Sequence, residues 1–461
     1  MESPKMNTQE HSVNDLHRDH PKIKWIRAAV VLLLLALIAG GISLLQSVRR
    51  DAVPIGGDVQ QPAIGDAAEP IQITFWTPFS GGDISFMNEL VRQYNEQNTD
   101  HIIVNMKNNK LDDYYTKLST SIVTEEAPDV AILHASMYAQ YINAGFISNI
   151  DGWMAAQQVD WSTFNQGVLS KTMKNGRHYG LPLDTHFSVL YYNKKWLAEA
   201  GLYRDGKVLL QPGEQGFMDF LQTLQRHVPK DVAPLAVPNV RIDSLWLWWS
   251  LYAQMKDGGK LYTADGHAAG VNMPAARRSL ELVASMYDRR LIPPDINNAT
   301  SQFANGHAAL LFLGVWSVGS LEEVKGLDFG VMPFPQIYDH PGSWGDGHTL
   351  AFPAHATADP RKQEAAVKFA DWLTSHGAGW GKAGHVPAVK SQAQSDAYLS
   401  LPYRREYVQG AEEVEFFPEH RRQSEVSDAL VNELEKIWYG RQTVDQMLNR
   451  LEPLINQIVR E

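Results

Sequence analysis

The chain has 461 residues, 44% of them hydrophobic and 20% charged, with a formal net charge of −11 and no cysteine. Such a composition belongs to a folded globular protein and excludes a disordered, collagen-like or multi-span membrane chain. The missing cysteine removes a disulfide scaffold, a thiolate metal site, a cysteine nucleophile and a lipid-modified N-terminal cysteine. Single cores stop growing at about 250–300 residues, so more than one is expected.

Residues 28–45 read AAVVLLLLALIAGGISLL, an uncharged run. As a helix it is about 27 Å long, close to the ~30 Å hydrocarbon core of a bilayer. Lys22, Lys24 and Arg27 precede it and Arg49 and Arg50 follow, and the leading cations favour a cytoplasmic N-terminus. A cleaved secretory signal is the competing reading, but Ala39-Gly40-Gly41 matches a cleavage site only loosely and the leader is long for one. The expectation is a cytoplasmic stub at 1–27, one transmembrane signal anchor at 28–48 and a Gly/Pro-rich tether at 49–70. Beyond it, the body sits on the extracytoplasmic face of the membrane, or is secreted if the signal is cut.

Residues 1–50 hold 7 Lys or Arg against 4 Asp or Glu, which leaves 34 against 48, a net charge of −14, for the remainder. A body this acidic offers no basic face for nucleic acid, which is excluded as a partner.

In chain order, ITFW within 71–76 alternates apolar and polar residues as a first strand does, and Thr77 to Gly82 break it. Phe86, Leu90, Val91 and Tyr94 recur at helical spacing. A short strand at 104–106 and a helix at 114–122 follow, then PDVAIL at 128–133, a continuous apolar run typical of a buried strand. Further strands are predicted at 308–313, 329–332 and 349–352. Asp359-Pro360 opens a helix as N-cap and first residue, Gly377 closes it, and Ala366, Phe369, Ala370 and Leu373 form its apolar face. Met447, Leu448, Leu451 and Ile455 mark a last amphipathic helix. The pattern is α/β with mostly parallel sheets.

Catalytic signatures are absent: the chain contains no G-x-G-x-x-G after a strand, no P-loop, no H-E-x-x-H and no G-x-S-x-G. The 16 histidines are scattered, so no metal site or cofactor is expected. Aromatic side chains do concentrate. LWLWWSLY at 245–252 places Trp246 and Trp249 on one helical face, Trp248 and Tyr252 on another. Two aromatic faces do not easily share one core, which leaves one available to a ligand. A flat indole suits the apolar C–H face of a sugar ring, flanked by groups that bond its hydroxyls.

Several segments in order carry a family resemblance: ITFWTP, PDVAILHASMYAQYINAGFISNID, GRHYGLPLDTHFSVLYYNKKWLAEAGL, FANGHAALLFLGVWSVGSL, FGVMPFPQ, DGHTLAFPAHATADPRKQEAAVKFADWLTS, AGHVPAVKS and GRQTVDQMLNRLEPLI. Over 71–460 the chain resembles the carbohydrate-type, maltose-binding-protein-like extracellular solute-binding proteins of ABC importers. The resemblance implies a two-lobed periplasmic-binding-protein type II fold with a hinged cleft. One lobe comprises 71–186 plus 350–386 and the other 187–349 plus 387–461, with crossings near 185–188, 350–352 and Pro387.

It also implies site residues. His134 and Ser136, after the PDV strand, edge the cleft, while Asp184 and His186 occupy the crossing, Asp184 as acceptor for sugar hydroxyls. Trp316, after AALLFLG, is the expected stacking residue, and Trp246 and Trp248 fall in a ligand-contacting stretch. Trp344 and Asp346 lie in a Gly-containing loop able to reach the cleft. Phe79 follows the first strand at its carboxyl end, where α/β sheets place ligands; Trp76 there reads more readily as core. The implied function is capture of a carbohydrate by a tethered monomer that delivers it to the membrane permease subunits of an ABC transporter, not an enzyme. A sensing subunit that presents bound sugar to a membrane sensor kinase is the alternative.

Overall fold

A computed structural model of the chain describes residues 69–460 except 81, 239–241, 297 and 355–358. The expected anchor and stub lie outside the described residues, and among those described no helix is long and apolar enough to cross a membrane.

The strands that matter for the site are β1 (Ile71–Thr77), β2 (Ile102–Asn108), β3 (Val130–His134), β4 (Gly180–Pro182), β5 (Asp184–Asn193), β6 (Ala233–Ala236), β7 (Ala308–Gly314), β8 (Phe329–Pro333), β9 (Ser343–Asp346), β10 (His348–Ala351), β11 (Val386–Pro387) and β12 (Val414–Glu415). Five of them form one sheet in the order β2-β1-β3-β10-β4. A seven-stranded second sheet runs β6-β7-β5-β9-β12, with β8 and β11 also paired to β5. The helices used below are α1 (Asp83–Gln97), α2 (Leu111–Val123), α3 (Asp243–Ala253), α4 (Met273–Asp288), α5 (Pro360–Ser375), α6 (Gln423–Trp438) and α7 (Val444–Arg460).

Local sequence explains most of these elements. In β1 the side chains of Ile73 and Phe75 are fully buried while Gln72 and Thr74 face solvent, the period-2 pattern of a strand covered on one side. Helix α1 turns Met87, Leu90, Val91 and Tyr94 inward. The Asp359 side chain caps α5 by accepting from Arg361 N–H, with Pro360 in its first turn. That helix lays Phe369 edge-on against Phe75 at 5.2 Å.

Each sheet has its own core. The first packs Ile73, Phe75, Ile132, Leu350 and Phe369; the second packs Leu190, Trp248, Leu310, Leu434 and Ile455. Almost every residue of β5 is buried, because helices and neighbouring strands cover both of its faces.

The sheets are mixed, which corrects the expectation of mostly parallel pairing. Pairs β1/β2, β1/β3, β6/β7 and β9/β12 are parallel. Strand β5 runs antiparallel to β7, β8, β9 and β11, and β10 runs antiparallel to β3 and β4. The reversals belong to chain segments that pass from one sheet to the other and so enter the second sheet against its direction. Strands β9 and β10 belong to different sheets and are separated by Gly347 alone, so this passage lies at Gly347, ahead of the expected 350–352. A Cβ on Gly347 would lie 2.3 Å from Val168 Cγ2 and 2.6 Å from the Asp184 carbonyl oxygen; no larger residue fits there without displacement.

Candidate functional site

Where the strand ends of the two sheets meet, a cavity of about 390 Å³ opens, within the ~300–1,000 Å³ range of small-molecule sites. One wall carries Phe79 from the β1–α1 connection, Asp83 opening α1 and Tyr115 from α2. Another carries Trp246 from α3, Trp316 after β7 and Trp344 in β9. The floor is polar: His134 at the end of β3, His186 in β5, Asp346 closing β9, His348 opening β10, and His385 beside β11. Ser136 and a polar edge of α6 (Gln423, Ser424, Ser427, Asp428) complete the rim.

The three indoles form an aromatic corner. Trp246 and Trp344 stack at 3.7 Å with planes 10° apart. Trp316 stands at 78° to Trp246 and 87° to Trp344, at 5.7 and 6.3 Å. Neither Trp246 Nε1 nor Trp344 Nε1, both buried, has a hydrogen-bond partner among the described residues. Trp316 is held half-buried at a short turn, its ring lying where a side chain on Gly314 would be: a Cβ there would come within 1.8 Å of the indole. Only glycine leaves that space.

Beside the indoles, Asp346 accepts the N–H groups of Ser136 (3.1 Å) and Gly347 (2.8 Å) through Oδ1. Its Oδ2 takes no hydrogen bond from a described residue. The Tyr115 hydroxyl accepts the backbone N–H of His134 at 3.2 Å and hydrogen-bonds its Nδ1. Burial, followed by the neighbouring His348, pushes the His134 imidazole down to about 3, so it is neutral near pH 7. Burial likewise brings His348 down to about 4, against the pull of Asp184. Burial opposes charge on His385 too, but Asp184 and Asp83 outweigh it and raise that ring above its ordinary value. For Asp184, burial favours the neutral acid, yet His348, His385 and the hydrogen bonds it accepts hold the carboxyl well below the usual range.

Of the sequence-predicted residues, the structure brings Phe79, His134, Ser136, His186, Trp246, Trp316, Trp344 and Asp346 to this one cavity. Trp248 and Asp184 do not line it. Trp248 is fully buried, donates its indole N–H to Ser279 Oγ at 3.0 Å and stacks on Tyr252. The expectation that one face of its helix stays free is therefore corrected: α3 packs against α4, α6 and β9, and these cover nearly every side chain but Trp246. Asp184 lies fully buried behind the floor, where His186 Nδ1, His348 N–H and Nδ1, and Trp380 Nε1 occupy its oxygens. It positions the floor histidines instead of meeting a hydroxyl itself. Trp76 stays outside the cavity, under Lys107 at 4.7 Å.

Sequence reasoning missed His348, His385, Tyr115 and the α6 edge. The two histidines had a faint signal, since each sits beside a glycine just ahead of a buried strand (GHTLA, GHVP).

Residues 80–380 match the family model described as bacterial extracellular solute-binding protein. A maltotriose-binding protein of Pyrococcus abyssi is 21% identical over 311 residues, 66% of this chain and 63% of that one. Among solved structures, an ABC substrate-binding protein of Listeria monocytogenes in complex with cycloalternan superposes with a TM-score of 0.73 at 21% identity, covering 84% of this chain and 99% of that one. UgpB of Mycobacterium tuberculosis, in complex with glycerophosphocholine, gives 0.73 at 18% identity, covering 84% and 98%. At these identities the structural likeness speaks to the two-lobed α/β fold, while the family model spans well over half of the sequence. The chain belongs to the family of bacterial extracellular solute-binding proteins.

Proposed function

We propose that this chain captures a carbohydrate in the cavity between its two sheets and delivers it to the permease of an ABC importer. It is a binding protein, not an enzyme. The observation that carries the ligand class is the corner made by Trp246, Trp316 and Trp344 above a floor of Asp346 and imidazoles. Flat aromatic faces match the C–H faces of a pyranose, and the carboxylate and ring nitrogens match its hydroxyls. A glycerophosphodiester would need cationic side chains at its phosphate, and among the described residues the cavity lining contains no lysine or arginine. That favours a neutral, hydroxyl-rich ligand.

In this reading the lobes close over the sugar about the strands that pass between the sheets, a hinge motion of the kind that buries a ligand on both sides. The anchor at 28–48 holds the monomer at the membrane, and residues 49–70 tether it within reach of a permease. Thermal-shift and calorimetric screening of the full-length chain tests the ligand class. The panel holds mono- and oligosaccharides, with glycerophosphocholine as the control. A stabilising sugar with 1:1 stoichiometry is expected. Stabilisation by the phosphodiester alone, or by nothing in the panel, overturns the carbohydrate reading.

A further inference from the structure

Three imidazoles surround the Asp184 carboxylate beneath the cavity. Nδ1 of His186 lies 2.9 Å from Oδ1, Nδ1 of His348 lies 2.8 Å from Oδ2, and Nδ1 of His385 lies 3.8 Å from Oδ2. The four residues, all buried, each offer a ligand atom within 4.8 Å of the others. They come from β5, from the first residue of β10 and from the residue ahead of β11, the segments where the sheets join.

Hydrogen bonding within the protein does not account for the whole cluster. The Asp184 oxygens already take four donors: His186 Nδ1, His348 N–H and Nδ1, and Trp380 Nε1. That fills a carboxylate's roughly four acceptor sites. His385 is left over, its Nδ1 buried without a hydrogen-bond partner among the described residues. On the other side of the ring, Nε2 faces Asp83 Oδ1 at 3.3 Å. Trp380 fixes the ring plane by stacking on it at 4.6 Å and 6°. A histidine whose far nitrogen donates to a carboxylate, with its near nitrogen bare and aimed at further donors, has the outer support of a metal-bound imidazole.

We propose that Asp184, His186, His348 and His385 bind one divalent transition metal of the zinc class through one carboxylate oxygen and three imidazole nitrogens. Three nitrogen donors and one oxygen suit zinc and its neighbours in four-coordinate geometry, whereas magnesium and calcium take six or more oxygens. As the metal enters, the Nδ1 protons of His186 and His348 pass to Nε2 of the same rings, and a proton held on His385 Nδ1 is released to solvent, so each ring presents a bare Nδ1 to the ion. Asp184 keeps Trp380 as its outer partner, and Asp83 remains on His385. The ion ties together the three segments that join the sheets, so it braces the hinge. Metal binding is measured without sugar, so it stands or falls apart from the carbohydrate reading.

The test uses the full-length chain, stripped with EDTA, dialysed against Zn²⁺, desalted and assayed for metal by mass spectrometry, with a parallel Co²⁺ titration. One zinc per chain and the visible d–d absorption of tetrahedral cobalt are expected. His385→Gln should lose that spectrum while its circular dichroism stays that of the wild type. Asp83→Asn, which removes only an outer partner, should weaken metal binding ~10–100-fold, and it keeps the test open if the ligand variant does not fold. A folded wild-type chain that retains no zinc and gives no tetrahedral cobalt spectrum overturns the proposal. So does a His385→Gln chain with unchanged stoichiometry and spectrum.

Discussion

Replacing Trp316 with alanine removes the indole that stands almost perpendicular to the stacked Trp246–Trp344 pair. That pair covers one face of each of its own rings, which leaves Trp316 as a principal open aromatic surface of the corner. A sugar ring laid on one indole face removes roughly 60–80 Å² of it from water, worth ~1.5–2 kcal/mol at about 25 cal/mol per Å². The dissociation constant should therefore rise ~10–30-fold. The indole also packs against the core of the second sheet, so the melting temperature falls as well. Calorimetric titration of the tightest-binding sugar at 25 °C, on protein shown folded by circular dichroism, separates the two effects. Trp316→Phe should fall between. A folded Trp316→Ala chain with the wild-type dissociation constant would refute the stacking role.

Four other substitutions probe the rest of the account. Asp346→Asn keeps the shape but removes the charge behind the open Oδ2; hydrogen bonds to charged groups contribute about 1.5–3 kcal/mol, so calorimetry should show sugar binding weakened ~10–150-fold. Gly314→Ala puts a methyl where the Trp316 ring lies, so it should reproduce most of the Trp316→Ala loss in the same titration without altering any residue that lines the cavity. Trp248→Ala opens a hole in a packed core and should cost ~3–5 kcal/mol in denaturant unfolding, with sugar affinity of the folded protein unchanged. Gly347→Ala drives a methyl into Val168 and the Asp184 carbonyl and should cost ~1–3 kcal/mol by the same measurement.

How much of this could be read from residues alone depended on whether the signal was local. Alternation in ITFW, the apolar run after PDV, the Asp359-Pro360 cap and the spacing of Met447, Leu448, Leu451 and Ile455 report contacts that each segment makes with its own period, and the corresponding elements form where expected. Trp316 was legible only through the family resemblance, which implies a stacking residue just after the strand Ala308–Gly314. The faces of α3 were not, because what buries Trp248 and Trp249 are helices 273–288 and 423–438, which its own sequence does not announce. Nor does local sequence reveal that Asp184 is spent on its neighbours: His348 and Trp380, two of its three side-chain partners, lie far along the chain. The histidine cluster escaped notice for the same reason. Only the folded arrangement of the segments joining the sheets brings His186, His348 and His385 around one carboxylate.

The central claim, that a carbohydrate is held between the aromatic corner and the polar floor, is tested most directly by a crystal structure of the chain with its tightest-binding sugar. The account predicts a sugar ring packed face-on to Trp316, with a hydroxyl on Asp346 Oδ2 and others facing the floor imidazoles. Density for the sugar elsewhere on the molecule, or a ligand in the cavity that touches none of the three tryptophans, would contradict it.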